Sequence, residues 1–222
     1  MHAPGAASYP LASYSQAFSF RSFRWAAGAS DGEVSPQMGR ISMEYVALLR
    51  GINVGGKNKV VMSELREQVA DVGYANVRTY INSGNLLFEA DAPREDVAQR
   101  VENLLACRYD FPIRLALLTA QDYLAQLDEL PDWWHGDVAR RDALFYTRGL
   151  DRDHVRQRIE AMELGDEAVH FGEHAIFWVK FDEKQFLKTA YHKRLLREDF
   201  YREVTIRSGA TVEKIAAMLS RG

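Results

Sequence analysis

Residues 45–59 have the sequence YVALLRGINVGGKNK, and the fold prediction starts from this stretch. Its first five residues are all apolar, a run long enough for a buried strand and too short for a helix. A glycine-rich loop with two lysines follows. After it, apolar residues recur from Val61 to Val72 at the spacing of one helix face, and Gly73 is suited to end that helix. The stretch therefore predicts a strand, a loop and a helix in succession.

The segments that follow complete a β-α-β-β-α-β order. Alternating apolar and polar residues predict a strand over 77–81, a turn at 82–85 and a returning strand at 86–88. A second helix should begin near Pro93, and a further strand should follow Pro112. This order is typical of the ferredoxin-like α+β fold, in which helices cover one face of an antiparallel sheet.

The rest of the chain repeats this order of elements without repeating the sequence. A short helix should begin at Thr119, and residues 131–136 should form a loop. The later predicted elements are a strand at 143–148, a helix capped by Asp151 or Asp153, a hairpin about Gly172, helices near 189–200 and 211–219, and an extended piece at 204–206. We therefore expect a ferredoxin-like subdomain at 43–130 and a second, smaller α+β subdomain at 131–222 with C-terminal helices.

Residues 1–42 differ in composition from the rest of the chain. They are rich in Ala, Ser and Gly, and Ser and Gln interrupt every apolar run that could form the core of a secretory signal. We interpret this segment as a flexible tail or a misassigned start, with Met43 as the true start. A transit peptide is a weaker alternative, because the helical amphipathicity of the segment is low.

Charge and cysteine content exclude some classes of protein. The net charge is 28 − 31 = −3, which disfavours an evenly basic nucleic-acid binder, and one cysteine excludes an internal disulfide. We therefore expect a reducing, cytoplasmic location and no membrane segment. Positive charge is nevertheless concentrated in residues 50–59 and 183–222, and the two segments would form one basic patch if they lie close together.

The loop that follows the first strand is the main candidate site. Glycines at Gly55 and Gly56 would let backbone N–H groups converge on an anion, and the start of the next helix would add further donors. The predicted ligand-binding residues are Arg50, Asn53, Gly55, Gly56, Lys57, Asn58, Lys59 and Arg207. The spacing from Gly51 to Lys57 copies most of a nucleotide-binding phosphate loop, but Asn58 replaces the Mg²⁺-binding Ser or Thr. A purely structural glycine turn is the alternative.

Four other features of the sequence bear on a possible site. Tyr80, Ser83 and Asn85 form a second polar cluster on a predicted turn, which need not lie beside the first loop. The pair His170 and His174 is more typical of a hairpin than of a metal site, so we predict neither a metal nor a cofactor. We expect Cys107 to be buried and the tryptophans at 133–134 to pack at the junction between the subdomains.

The segment Ala47–Asn58, ALLRGINVGGKN, resembles a bacterial family known as domain of unknown function 1697. The likeness continues through 79–85, the Trp-Trp segment after Pro131, residues 188–193 and 205–211, and it covers about residues 43–220. It implies a two-part α+β fold with a ferredoxin-like first half in a cytosolic bacterial protein, and it implies no established activity. The family usually has Asn-x-Asn-Thr after Arg207, and here Ser208 and Ala210 replace the two asparagines while Thr211 is kept. Asn82 stands where Gln is expected.

The leading functional prediction is that the loop 50–59 binds an anionic group, such as a phosphorylated small molecule or a nucleotide. A nucleic-acid-binding module is the first alternative, because ferredoxin-like sheets can stack bases on aromatic side chains such as Tyr80. A group-transfer enzyme is the second, although no catalytic triad or carboxylate pair is visible. The sequence identifies neither a reaction nor an oligomeric state.

Overall fold

A computed structural model describes residues 42–182 and 188–220. The first half contains β1 (Met43–Arg50), α1 (Met62–Asp71), β2 (Ala75–Tyr80), β3 (Asn85–Ala90), α2 (Arg94–Arg108) and β4 (Arg114–Thr119). Its strands form an antiparallel sheet in the order β2-β3-β1-β4, with Ala47 of β1 opposite Leu86 of β3 and Leu117 of β4. This topology confirms the predicted ferredoxin-like first half. The predictions for residues 1–41 lie outside the described residues.

The second half repeats the topology of the first. It follows the linking helices α3 (Ala120–Asp128) and α4 (Asp132–His135) and contains β5 (Arg140–Tyr146), α5 (Arg152–Glu160), β6 (Glu167–Phe171), β7 (Ala175–Lys180), α6 (Ala190–Lys193), β8 (Val204–Ser208) and the final helix α7 (Gly209–Leu219). Its antiparallel sheet has the strand order β6-β7-β5-β8. The strand order therefore matches that of the first sheet element for element.

Successive side chains of β1 face opposite sides of the first sheet and pack into two different clusters. Tyr45, Ala47 and Leu49 face the cluster that includes buried residues of α1 and α2. Val46 and Leu48 face the opposite way, into a cluster shared with the second sheet and with α3 and α7. A third cluster packs α5 and α6 against the far face of the second sheet. The face of the first sheet opposite α1 and α2 is therefore covered.

Trp134 confirms the prediction that an aromatic side chain packs at the junction. It is 1% exposed and lies in the same cluster as Leu48 of the first sheet. Its ring meets that of Phe177, from the second sheet, edge-on at a centroid distance of 5.1 Å. It lies within the one-turn helix α4, where the sequence predicted only a loop.

Two helix starts follow from their capping residues. The hydroxyl of Thr119 accepts a hydrogen bond from the N–H of Asp122 at 3.0 Å, as predicted for α3. At α5 the cap is Asp151, whose carboxylate accepts from the N–H of His154 at 3.0 Å. The structure thus decides between the two candidate caps of α5.

The prediction of one long helix near 189–200 is wrong. Helix α6 spans only four residues, and two 3-10 turns, Leu195–Arg197 and Asp199–Glu203, follow it. Tyr191, Leu195 and Phe200 are all buried, but their spacing does not keep them on one face of a straight helix, so the backbone bends to bury all three. The extended piece after them is the full strand β8, which pairs with β5.

The prediction that Cys107 is buried is also wrong, since its side chain is exposed. The buried face of α2 is formed by Val97, Val101 and Leu105 with Ala98. Cys107 lies two residues beyond Leu105, roughly 200° around the helix, and so faces away from the core. Among the described helices, none combines the length and apolar character needed to cross a membrane.

Candidate functional site

The loop between β1 and α1 has a backbone that favours glycine and asparagine. Gly51, Asn53, Gly55, Gly56 and Asn58 all have positive φ, between 53° and 94°. At Gly51 a β-carbon would also lie 3.0 Å from the carbonyl oxygen of residue 112. The unusual composition of this loop therefore follows from its left-handed backbone, and this part of the pattern is structural.

The side chain of Asn53 forms hydrogen bonds across the base of the loop. Its Oδ1 accepts a hydrogen bond from the N–H of Val60 at 2.8 Å, and its Nδ2 donates to the carbonyl oxygen of Val60 at 2.9 Å. The same Nδ2 donates to the carbonyl oxygen of Asn82 at 2.8 Å. Asn58 closes the loop further by donating to the carbonyl oxygen of Gly51 at 2.7 Å. Both asparagines of the predicted ligand set thus hold the loop in shape.

The tip of the loop is an exposed tight turn. The N–H of Lys57 donates to the carbonyl oxygen of Val54 at 3.0 Å, with Gly55 and Gly56 between them. Both glycines are exposed, and their N–H groups bond to no acceptor among the described residues. Lys57 and Lys59 are also exposed, and neither forms an ion pair within 42–182 or 188–220. Donors and positive charge therefore remain available to a ligand here.

An open groove of about 490 Å³ lies beside this tip. One wall is formed by Gly56, Lys57 and Lys59, and the other by the start of α1 and by Asn82. Val61, at the N-cap of α1, makes no side-chain capping hydrogen bond. The first N–H groups of this ten-residue helix are therefore left without the side-chain acceptor that a Ser, Thr, Asp or Asn would supply.

Arg207 lies at the centre of a buried network that supports the loop. It extends from β8 and is only 5% exposed. Its guanidinium donates to the carbonyl oxygens of Leu49, Ser83, Gly84 and Ile206 at 2.8–3.1 Å, to the hydroxyl of Thr205 at 2.8 Å and to the Oδ1 of Asn85. Burial lowers its pKa to about 10, so it stays cationic at neutral pH.

The side chain of Arg50 contacts the second half of the protein. Its guanidinium donates to the carbonyl oxygen of Tyr201 at 3.3 Å and lies 5.0 Å from the centre of the Tyr201 ring. Arg50 therefore connects the end of β1 with the second half, and it is not part of the groove lining. The turn that contains Tyr201 is the part of the basic segment 183–222 that contacts Arg50.

The hairpin cluster lies directly against the first loop. Asn85 Nδ2 donates to the carbonyl oxygen of Tyr80 at 2.8 Å and to the hydroxyl of Ser83 at 3.1 Å. The carbonyl oxygen of Gly84 accepts from the N–H of Leu49 at 2.8 Å. The two polar clusters that the sequence left separate are therefore one structural unit, joined by Arg207.

Two residues of the predicted turn 82–85 make contacts that the sequence did not predict. Gly84 has a φ of 79°, and a β-carbon there would lie 2.8 Å from Leu49 Cβ and from Ile52 Cδ1. Asn82 contributes its carbonyl oxygen to Asn53 and lines the groove. Because that hydrogen bond uses the main chain, it does not require the Gln expected from the family pattern. Neither role has a signal in the spacing of the sequence.

The histidine pair lies at the hairpin of β6 and β7, as the sequence predicted. His170 lies in β6, and His174 lies immediately before β7 and is buried, at 8% exposure. Within the described ranges, no group of three or more His, Cys, Asp or Glu side chains is arranged to hold a metal ion. Tyr80, the predicted base-stacking residue, packs against the cluster between the sheets, so it does not lie on an open sheet face.

The chain shares its sequence pattern with a recognised family. The model of the family described as "Protein of unknown function (DUF1697)" matches residues 43–177. The chain belongs to this family. The matched range contains the loop, its groove and the hairpin, whereas Arg207 lies beyond it. The family description names no ligand and no reaction.

A solved structure agrees with the fold. It is described as the structure of conserved bacterial protein SP0830 from Streptococcus pneumoniae, and it is 48% identical in sequence to this chain. The match covers 80% of this chain and 99% of that one, with a TM-score of 0.78. A comparison with curated proteins found no significant match. The DUF1697 architecture is thus shared with a bacterial relative whose description gives no activity.

Proposed function

We propose that this DUF1697 protein binds the phosphate group of a small molecule in the groove between the tip of the first loop and the start of α1. The observation that carries the proposal is the set of unused donors there. Gly56 and the exposed residues Lys57 and Lys59 line the groove. The N–H groups of Gly56 and of Gly55, at the adjoining tip, bond to no acceptor among the described residues. Anions are favoured where backbone N–H groups and positive charge converge near a helix start.

Rigidity supports this proposal. Asn53 and Asn58 make four hydrogen bonds that fix the loop before any ligand arrives. Arg207 holds the hairpin on which the groove wall at Asn82 depends. A site that is already ordered loses less conformational entropy when it binds. In this proposal Arg207 acts as a positioning residue. Direct contacts of Arg207 and Arg50 with a ligand, which the sequence analysis expected, stay predictions.

The volume of the groove supports a small metabolite rather than a bare ion. A space of about 490 Å³ lies within the range of roughly 300–1,000 Å³ that small-molecule sites occupy. Val61 and Met62 add apolar surface next to the charged wall. A ligand with one phosphate and an attached sugar or ring would place the phosphate at the charged wall and the rest of the molecule on the apolar surface. The acid in the first turn of α1, Glu64, is not part of the lining.

The two alternatives stay predictions. Nucleic-acid binding through an open sheet face is not supported, because Val46, Leu48 and Leu87 of that face are fully buried against the second half. Binding through another surface is an outcome that the experiment below can reveal. A group-transfer reaction would need a base or nucleophile in the groove, and Ser63 is the residue there with a suitable hydroxyl.

Calorimetric titration with matched ligand pairs tests the proposal. On the full chain, ribose 5-phosphate is compared with ribose, and adenosine 5′-monophosphate is compared with adenosine. We expect the phosphorylated member of at least one pair to bind more tightly. The double substitution Lys57→Ala and Lys59→Ala should weaken that binding about tenfold or more, because charge-assisted hydrogen bonds are lost.

Lys214→Ala provides the matched control, since it removes an exposed lysine of α7 outside the groove. It should leave the affinity unchanged. Equal binding of phosphorylated and unphosphorylated ligands would contradict the proposal, and so would a double variant that binds like the wild type. Tight binding of a single-stranded oligonucleotide with a steep salt dependence would favour the nucleic-acid alternative instead.

A further inference from the structure

A second cavity lies where the two halves of the protein meet. It has a volume of about 190 Å³ and is bounded by the start of α2, the outer edge of β4 and the loop that follows β5. Leu115, Leu117 and Leu118 form an apolar floor. It shares no lining residue with the groove of the first loop, so the inference below is independent of the proposed function.

Arginine side chains supply most of the charged groups in the lining of this cavity. Arg94, Arg148 and Arg152 line it, and Glu95 is the one carboxylate among its described lining residues. Arg148 is paired with Glu95, and Arg152 donates to the carbonyl oxygen of Glu173 at 2.7 Å.

Arg94 is held least tightly of the three arginines. Its guanidinium lies 3.6 Å from the carboxylate of Asp122, and it makes no hydrogen bond within the described part of the chain. It is therefore the cation most available to an incoming anion.

The outer edge of β4 adds a main-chain donor. The carbonyl oxygen of Leu115 accepts from the N–H of Arg148 at 2.9 Å, so Leu115 directs its polar groups away from β1. Alternate residues of a strand direct their N–H groups to the same edge, so the N–H of Leu117 also points outward, into the cavity that its residue lines. It bonds to no acceptor among residues 42–182 and 188–220.

His174 is the buried polar side chain of the cavity. It is 8% exposed, and its Nε2 lies 3.8 Å from Glu173 Oε1 and 4.0 Å from Asp122 Oδ2. Both distances exceed those of a hydrogen bond. Burial lowers the pKa of His174. The negative charges of Glu173 and Asp122 oppose this shift, and the positive charges of Arg94 and Arg152 add to it. Among the residues that the structure describes, this imidazole therefore has no hydrogen-bond partner, and it lies beside the cations.

We propose that this cavity binds a small dianion of the size of inorganic phosphate, held by Arg94, His174 and the N–H of Leu117. The volume is below the range of roughly 300–1,000 Å³ typical of larger ligands, which limits the occupant to a few atoms. The dianion faces donors from three elements, so it links the two halves of the protein.

A bound dianion also favours the protonated imidazole, because an opposite charge is brought within contact distance of it. Binding therefore raises the pKa of His174, and the protein takes up protons when the dianion binds.

The test is a titration of the full chain with sodium phosphate, followed by NMR of the histidine rings, with His174→Gln used to assign the signal. We expect the pKa of His174 to rise on phosphate addition, and sodium chloride of equal ionic strength to leave it unchanged. Arg94→Gln should weaken phosphate binding about tenfold, as expected for a lost charge-assisted hydrogen bond. Arg156→Gln, in an exposed i,i+4 ion pair with Glu160, should not.

Several outcomes overturn this inference. They are an unchanged His174 signal in phosphate, an equal response to chloride, and wild-type affinity in Arg94→Gln. The double variant Lys57→Ala, Lys59→Ala separates the two sites. It should leave the response of His174 intact even if ligand binding in the groove is lost or was never present, and loss of that response in this variant would also overturn the inference. Circular dichroism of each variant confirms that it is folded before the titration.

Discussion

Arg207 donates from its Nε to the Oδ1 of Asn85, and neither residue is more than 5% exposed. The bond joins a strand of the second half to the hairpin of the first, 122 residues apart in sequence. Through further bonds to Leu49, Ser83 and Gly84, the same guanidinium fixes the end of β1 where the candidate loop begins. Residues 49, 83–85 and 205–207, from three separate segments of the chain, thus meet at one buried cation.

Replacing Arg207 should destabilise the whole protein. Arg207→Met removes the six hydrogen bonds that the guanidinium donates, and losing such a buried network costs about 3 kcal/mol or more. Arg207→Lys should recover only part of this, because an ammonium cannot reproduce the planar fork of donors. Urea denaturation measures both variants. Lys214→Ala, at an exposed position of α7, is the control and should change the free energy of unfolding by less than about 0.5 kcal/mol.

Gly84→Ala should be more harmful than an ordinary glycine substitution. The positive φ of Gly84 costs any alanine about 1 kcal/mol, and the contacts at 2.8 Å with Leu49 and Ile52 add steric strain. Gly165→Ala is a matched control, because its φ is 65° and a β-carbon there would meet nothing within 4 Å. Thermal denaturation should show a larger loss for Gly84→Ala, and equal losses would contradict the close packing.

Ligand binding in the groove should weaken as salt concentration rises. Lys57 and Lys59 are exposed, so mobile ions screen their attraction for a phosphate over about 8–10 Å at ionic strengths of 0.1–0.15 M. Titration of ribose 5-phosphate at two chloride concentrations should give a lower affinity at the higher one, and Lys57→Ala should reduce the slope. An affinity that does not respond to salt would place the ligand away from the lysines.

The stability of the protein should depend on pH through His174. Its pKa is lowered by burial, so the unfolded chain binds a proton more readily than the folded protein just below the usual value of 6.5. The contribution of His174 to stability is therefore intact above that value and falls as the pH drops below it. In phosphate-free buffer, His174→Gln should flatten this part of the curve of unfolding free energy against pH. Curves of identical slope would contradict the prediction.

The stability of the protein should also depend on pH in the alkaline range, through Lys180. It is 2% exposed, and burial lowers its pKa from 10.5 to about 8. Between these values the unfolded chain holds the proton that the folded protein has lost, so stability should rise from pH 8 towards 10.5. The rise is on the order of 2 kcal/mol and should be absent in Lys180→Met. Chemical denaturation of both proteins across this range measures the difference.

Local sequence patterns predicted most of the first half. The apolar run 45–49 and the stripe from 61 to 72 specify a strand and a helix through their own spacing, and the structure confirms both. The second half was predicted less well between residues 189 and 206. There the buried residues Tyr191, Leu195 and Phe200 follow no single period, because they fit a curved surface made by other elements.

The amino-acid sequence by itself determined the ferredoxin-like order, the left-handed loop and the positive charge of that loop, since each depends on neighbouring residues and their backbone preferences. Tertiary structure alone decided that Arg207 is buried, that the hairpin and the loop form one unit, and that a charged cavity with His174 lies where the two halves meet. These features join residues up to 158 positions apart, such as Leu49 and Arg207. Their contacts arise only when the two sheets pack together and exclude water, which is when hydrogen bonds between distant segments become strong enough to hold them.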